Sequence, residues 1–160
     1  MTITISREQI DQIVWNQHQD PFAVLGPHLI DKNGKTSTWV VRAYLPNADA
    51  VSVILPEQRK EYPMEPSHNP HFFECSFEYS TEMSELVNYQ LRIKEGEHER
   101  VTYDPYAFRD PKLTDLDVHL FAEGNHHRIY EKLGAHLMEV EGVKGVYFAV
   151  WAPNARNVSL

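Results

Sequence analysis

The strongest constraint on the fold of this chain is an imperfect internal repeat. Leu25–Leu29 returns as Leu133–Leu137, and the corner Pro46–Ala48 returns as Pro153–Ala155. The offset is 108 residues in the first match and 107 in the second, so a one-residue gap aligns the copies. A period of this length is too long for a solenoid and fits tandem domains. We therefore predict one complete structural unit, followed by the beginning of a second.

Alternating apolar and polar residues predict that most of the first unit is β-structure. His71–Tyr79 places Phe73, Cys75 and Phe77 on one face, and Val87–Lys94 alternates in the same way. Further strands are predicted at Thr38–Leu45, Val51–Leu55, His98–Tyr103, Leu137–Val140 and Val146–Trp151, with Gly34 and Gly142 as matching turns. Short strands separated by Pro, Gly and Asn predict a mainly β protein with an immunoglobulin-like β-sandwich, rather than a βαβ fold.

Capping signals predict short helices on either side of the sandwich. Helices are predicted at Ser6–Gln17, from the N-cap Asp20, at Leu113–Leu120 and at His126–Leu133, with Asn125 capping the last. Gly26 is expected in the left-handed position that follows a short helix. The expected divisions are an N-terminal helix at 1–19, a first sandwich at 20–110, a helical junction at 111–136 and a second, truncated sandwich from 137 to 160.

Charge and cysteine content restrict the partners and the compartment. The net charge of −8 disfavours nucleic acid and anionic membranes, but it does not disfavour a neutral polymer such as a glucan. Cys75 is the single cysteine, and its apolar surroundings predict a buried free thiol in a reducing compartment. No secretory signal and no apolar run long enough to span a membrane is visible, so we expect a cytoplasmic protein.

Exposed aromatic rings are the candidate binding residues, because a glucose ring offers an apolar face and hydroxyl edges. Trp39, Tyr62 and Phe72 lie near predicted loops or strand starts and are the candidate carbohydrate platforms. Ordinary core or edge packing is the alternative interpretation of each ring, and the sequence favours it.

The sequence offers no catalytic or metal site. Asp115 and Asp117 form a carboxylate pair, but they lie in a polar stretch and are predicted to be solvated surface. His126 and His127, with His119 and His136, lack the spacing of a zinc site. We expect no catalytic residue, no metal and no cofactor in these 160 residues.

Four segments resemble a known family. Gly145–Ala155 resembles the opening of the carbohydrate-binding module that precedes the barrel of α-amylase-superfamily enzymes. Asp20–His28 is similar to the head of the additional N-terminal module of glycogen branching enzymes, and Asp104–Tyr106 and Phe121–His136 are similar to its end and to the junction. The tandem arrangement is more specific to bacterial branching enzymes than the Gly145–Ala155 segment alone.

The resemblance implies an enzyme that cuts an α-1,4-glucan and transfers the cut chain to a 6-hydroxyl, forming an α-1,6 branch. That family uses two carboxyl groups about 5 Å apart on a (β/α)₈ barrel of about 250 residues. The barrel lies outside this sequence, so the chain is expected to be inactive alone, with glycogen and the missing catalytic barrel as its partners. A glycan-binding module of another superfamily enzyme, such as a debranching enzyme, and a purely structural spacer are the alternatives.

Overall fold

The computed structural model describes residues 4–33, 36–80, 88–108, 113–140, 142–155 and 158. The helices are α1 (Arg7–Val14) and α2 (Asp115–Ala122), with 3-10 helices at Pro21–Ala23, Pro105–Ala107 and Ile129–Glu131. The strands are β1 (Gly26–Asn33), β2 (Thr36–Tyr44), β3 (Ala50–Leu55), β4 (Lys60–Pro63), β5 (Glu65–Pro66), β6 (Phe72–Ser80), β7 (Gln90–Glu95), β8 (His98–Tyr103), β9 (Gly134–Val140) and β10 (Val143–Ala149). The chain divides into two compact units, residues 1–109 and 110–160.

The first unit is a β-sandwich, as predicted. One antiparallel sheet has the strand order β1-β2-β6-β5, and the other has the order β4-β3-β7-β8. Their facing side chains form one buried cluster, and each large apolar side chain in it contributes about 1.5–3 kcal/mol. The buried members are Trp39, Val41, Ala43, Ala48, Val51, Val53, Leu55, Met64, Phe73, Cys75, Phe77, Tyr89, Leu91, Ile93 and Ala107.

Helix α1 covers the outer face of the first sheet. Ser6 caps it by accepting a hydrogen bond from the Gln9 backbone N–H, as the sequence predicted. Ile10 and Ile13 then pack in a second buried cluster with Phe72, which is next to the inward-facing Phe73 and therefore points to the opposite face. The first sheet is thus apolar on both faces, with strands on one side and a helix on the other.

The second unit contains α2, the 3-10 helix Ile129–Glu131 and a two-stranded antiparallel sheet of β9 and β10. Helix α2 begins with a capping box, in which Thr114 and Asp117 hydrogen-bond each other's backbone N–H. The predicted helix His126–Leu133 is wrong in extent, because only one 3-10 turn forms and no side chain caps it. The finer domain boundaries given above stay a prediction.

The repeat is visible in the local backbone of each unit. Gly26 and Gly134 both have positive φ, of 83° and 98°, and both follow a 3-10 helix. His28 and His136 each hydrogen-bond, through Nε2, the carbonyl oxygen of the residue three positions earlier, at 3.1 and 3.0 Å. The shared Leu-Gly-x-His sequence therefore encodes one structural element: glycine permits the turn into the strand, and histidine ties the strand back to the end of the 3-10 helix.

A β-bulge explains the one-residue gap between the copies. The register of β1 against β2 shifts between Leu29 and Asp31, which leaves Ile30 as the extra residue, whereas β9 pairs with β10 without a shift. The gap therefore falls before the turn, and Gly142 corresponds to position 35 rather than to Gly34 as predicted. Gly34 itself lies outside the described residues.

The remaining strand predictions hold with shifted ends. Strand β7 begins at Gln90, and Val87, the predicted start, lies outside the described residues. The short strands β4 and β5 were not predicted, because neither is long enough to show an alternating pattern.

Candidate functional site

Two of the three predicted carbohydrate platforms lie inside the first unit. Trp39 is 5% exposed within the cluster between the sheets, and its indole Nε1 has no hydrogen-bond partner among the described residues. Phe72 is fully buried beneath α1. A buried ring has no free face for a sugar, so the geometry favours core packing for both residues.

Tyr62 is the third predicted platform, and it is the one with access to solvent. It lies on the edge strand β4, and its ring stacks on Phe77 with a centroid separation of 4.8 Å and an interplanar angle of 15°. One face is therefore occupied by the core, which leaves only a partly exposed ring. Sugar binding by Tyr62 stays a prediction.

The most exposed aromatic side chain of the first unit is not among the three predicted platforms. Trp15, at the end of α1, is 71% exposed. The signal was available in the sequence, because Ile10, Ile13 and Val14 define the buried stripe of the helix and Trp15 falls outside this stripe. Phe22, seven residues later, is also exposed, and its ring contacts that of Tyr106 edge-on with a centroid separation of 5.1 Å.

Two Asp-Pro turns meet at the start of β1. Asp20 and Asp104 each cap a 3-10 helix by accepting the backbone N–H two residues later, at 3.1 and 2.9 Å. Gly26 lies directly against the second turn, because a Cβ placed on it would be 2.5 Å from the backbone oxygen of Tyr106. The turn at Asp104 therefore packs against the backbone of residue 26, where only glycine leaves enough space.

A buried hydrogen bond anchors the second turn to the core. The Tyr89 hydroxyl donates to Asp104, and both side chains are almost fully buried. Burial raises the pKa of Asp104, while the hydrogen bonds from Tyr89 and from the Tyr106 backbone N–H oppose that shift. A raised carboxyl pKa is also a feature of general acids, but Asp104 has no exposed surface on which to meet a substrate.

A buried ion pair lies on the helix-covered face of the first sheet. The Arg42 Nε donates to Glu74 at 2.7 Å, directly across β2 and β6. Thr4 completes the cluster: its hydroxyl and its backbone N–H donate to the Glu74 carboxylate, and it accepts from Arg42 Nη2 at 2.6 Å. Arg42 Nη1 also donates to the Val24 carbonyl oxygen at 3.3 Å, so the cluster ties residue 4 and residue 24 to the sheet and is a structural rather than a catalytic feature.

In the second unit, Asp117 corrects the prediction of a solvated carboxylate. It is buried, and it accepts from Thr114, from His126 Nε2 at 2.8 Å and from Lys132 Nζ at 3.1 Å. The backbone N–H of Thr114, followed by His126 and the Thr114 hydroxyl, holds its pKa far below the usual range, so Asp117 is ionised at neutral pH. An ionised, fully engaged carboxylate cannot act as a general acid.

Two of the four histidines of the second unit are likewise engaged in hydrogen bonds, whereas His119 and His127 are exposed. His126 bonds Asp117, and His136 bonds the backbone of Leu133. Within the described ranges, no three His, Cys, Asp or Glu side chains come together as metal ligands.

Comparison with known proteins places this fold in a family. The model of the alpha-1,4-glucan branching enzyme GlgB, N-terminal domain, matches residues 6–106. The chain belongs to this family. The matched range runs from the N-cap of α1 to the Asp104–Tyr106 turn, and therefore includes both sheets of the first unit.

Three curated branching enzymes illustrate the similarity. The chain is 73% identical over 98% of its length to the 1,4-alpha-glucan branching enzyme GlgB of a Nostoc strain. It is 70% identical over 99% of its length to the enzyme of Thermosynechococcus vestitus, and 64% identical over its full length to that of a Synechocystis strain. These matches span about 20% of the length of each relative. The GlgB N-terminal domain is thus a small part of a much longer protein in these relatives.

Proposed function

We propose that the chain is the non-catalytic N-terminal region of a 1,4-α-glucan branching enzyme of glycogen biosynthesis. The whole enzyme transfers a cut α-1,4-glucan segment to a 6-hydroxyl, and this region docks the glucan beside the catalytic module. The observation that carries the proposal is the family match over residues 6–106, supported by three curated branching enzymes that are 64%, 70% and 73% identical to the chain.

The chemistry of the described residues supports a non-catalytic role. Retaining glycoside chemistry needs a pair of substrate-accessible carboxyl groups about 5 Å apart, one of them with a raised pKa. Asp104 has the raised pKa but is buried, and Asp117 is buried with a lowered pKa. The described strands pair antiparallel throughout, in contrast to the parallel strands of a (β/α)₈ barrel.

Docking by such a region is weak at any single site. One aromatic platform supplies a small contact area, and useful affinity for a polymer arises when several sites engage the same molecule. The neutral glucan suits a chain of net charge −8, which would repel polyanions.

A cytoplasmic location belongs to the same proposal, and the single free thiol of Cys75 is consistent with a reducing compartment. None of the helices in the described part of the chain has both the length and the apolar character needed to cross a membrane.

Two assays on the 160-residue chain test the proposal. Its mobility in a native gel containing glycogen should fall relative to a gel without glycogen, and unchanged mobility would favour the structural-spacer alternative. The chain should leave the iodine-stained spectrum of amylose unchanged, and any branching activity would overturn the non-catalytic assignment. The residues that follow Leu160 would separate a branching enzyme from a debranching enzyme.

A further inference from the structure

The segment from Trp15 to Phe22 combines features that core packing does not explain. We call residues 15–22 the Trp15 loop. It begins where α1 ends and carries the two exposed aromatic side chains described above. Single exposed apolar residues are common on protein surfaces, so exposure alone is not informative. The side chains that follow Trp15, and the backbone that holds them, make the difference.

The four side chains that follow Trp15 are all neutral hydrogen-bonding groups. Asn16, Gln17 and Gln19 are exposed, and their amide groups make no hydrogen bond within the described part of the chain. Each amide offers two N–H donors and one carbonyl acceptor. His18 is used within the loop, where its Nδ1 accepts the Asp20 backbone N–H at 3.2 Å. The loop therefore presents one large apolar ring surrounded by uncommitted donors and acceptors.

The backbone of the loop is fixed by the helix it ends. Asn16 has a φ of 54°, a left-handed conformation that is uncommon for a residue other than glycine. The backbone N–H groups of Gln17 and His18 both bond the carbonyl of Gln12, at 2.7 and 3.2 Å. Asp20 then caps the following 3-10 helix. A backbone fixed in this way loses little further conformational entropy when a ligand binds to the loop.

These features match the chemistry of a glucose polymer. A pyranose ring stacks an apolar face on an indole, and its hydroxyl groups exchange hydrogen bonds with side-chain amides. We propose that Trp15 is the stacking platform of an α-glucan docking site, with Asn16, Gln17 and Gln19 as its hydrogen-bonding groups. This inference rests on the proposed glucan-docking function, and it moves the site from the predicted Tyr62 to the end of α1.

The chain offers a matched control for the test. Trp151, in the second unit, is 64% exposed and contacts Phe121 edge-on, but it is not followed by a run of free amides. The variants are Trp15→Ala, Trp15→Tyr and Trp151→Ala, each measured by its retardation in native gels of rising glycogen content. Far-ultraviolet circular dichroism and the unfolding temperature report whether each variant remains folded.

We expect Trp15→Ala to weaken the apparent affinity for glycogen by about tenfold, the scale of one lost stacking contact. Trp15→Tyr should retain most of the affinity, because a phenol ring also stacks, and Trp151→Ala should match the unsubstituted chain. If the chain binds glycogen and Trp15→Ala binds it equally well, the site is elsewhere and this inference is wrong while the docking function stands. If the unsubstituted chain does not bind, the proposed function itself fails.

Discussion

Replacing Gly26 by alanine tests how the first unit is closed. The added Cβ would lie 2.5 Å from the Tyr106 backbone oxygen and 2.9 Å from its Cβ. The Asp104 turn cannot move away easily, because the buried Tyr89 hydroxyl holds its carboxylate to the core. The structure therefore predicts that Gly26→Ala lowers the free energy of unfolding for two reasons, backbone strain and steric overlap.

The two costs can be estimated separately. A φ of 83° costs a non-glycine residue about 1–2 kcal/mol, and overpacking a fixed site costs about 1–3 kcal/mol more. We expect Gly26→Ala to lower the free energy of unfolding by about 3 kcal/mol or more. For a unit of this size, that is a fall of about 12 °C or more in unfolding temperature.

Gly96 provides a control in the same unit. Its φ is 60°, and a Cβ on it meets no atom within 4 Å, so Gly96→Ala carries the conformational cost alone. We expect Gly96→Ala to lower the free energy of unfolding by about 1 kcal/mol and the unfolding temperature by about 4–8 °C. Thermal unfolding followed through the NMR amide signals of β3 and β7 measures both variants in one structural unit. Equal shifts for the two variants would refute the claim that the Asp104 turn seats on Gly26.

Three further predictions address other parts of the chain. Cys75 should react with a thiol reagent only at the rate of unfolding, because burial raises its pKa to about 12; rapid labelling of the native protein would contradict this burial. Glu74→Ala should lower the free energy of unfolding, measured by urea denaturation, by about 3–5 kcal/mol, because it leaves Arg42 buried without its carboxylate. Glu74→Gln keeps a hydrogen-bond acceptor and should lower the free energy of unfolding by less. Equal losses for the two variants would argue against the ion pair. Asp117 has a folded pKa below its unfolded value, so its stabilising contribution is complete above about pH 5 and is lost as the pH falls towards the folded pKa. The protection factors of the α2 amides, which correct for the slower intrinsic exchange at low pH, should therefore fall on acidification, and Asp117→Asn should remove most of that pH dependence.

The pattern of the sequence was sufficient to predict the sandwich, because strand alternation is a local signal. Phe73, Cys75 and Phe77 face the core as their spacing indicated. The helix start at Ser6 and the turns at Asp20 and Asp104 could also be predicted from the sequence, since each depends on one capping side chain and its near neighbours.

The features that the sequence did not disclose depend on contacts between distant segments. The sequence does not show that Phe72 is buried, because α1 covers this ring and the position of the helix is set by tertiary packing. Asp117 reads as a polar surface residue, but His126 and Lys132, from later in the chain, enclose it. The sequence showed the bulge at Ile30 only as a one-residue gap between the two copies of the repeat, without its position.

Amide hydrogen exchange of the chain with and without maltoheptaose locates the region that contacts the glucan. Docking at Trp15 should slow exchange in residues 14–24 and leave the exchange of β8, on the opposite sheet, unchanged. No change anywhere in the chain would contradict glucan docking by this region. Protection confined to β4, around Tyr62, would retain the docking function but contradict its assignment to Trp15.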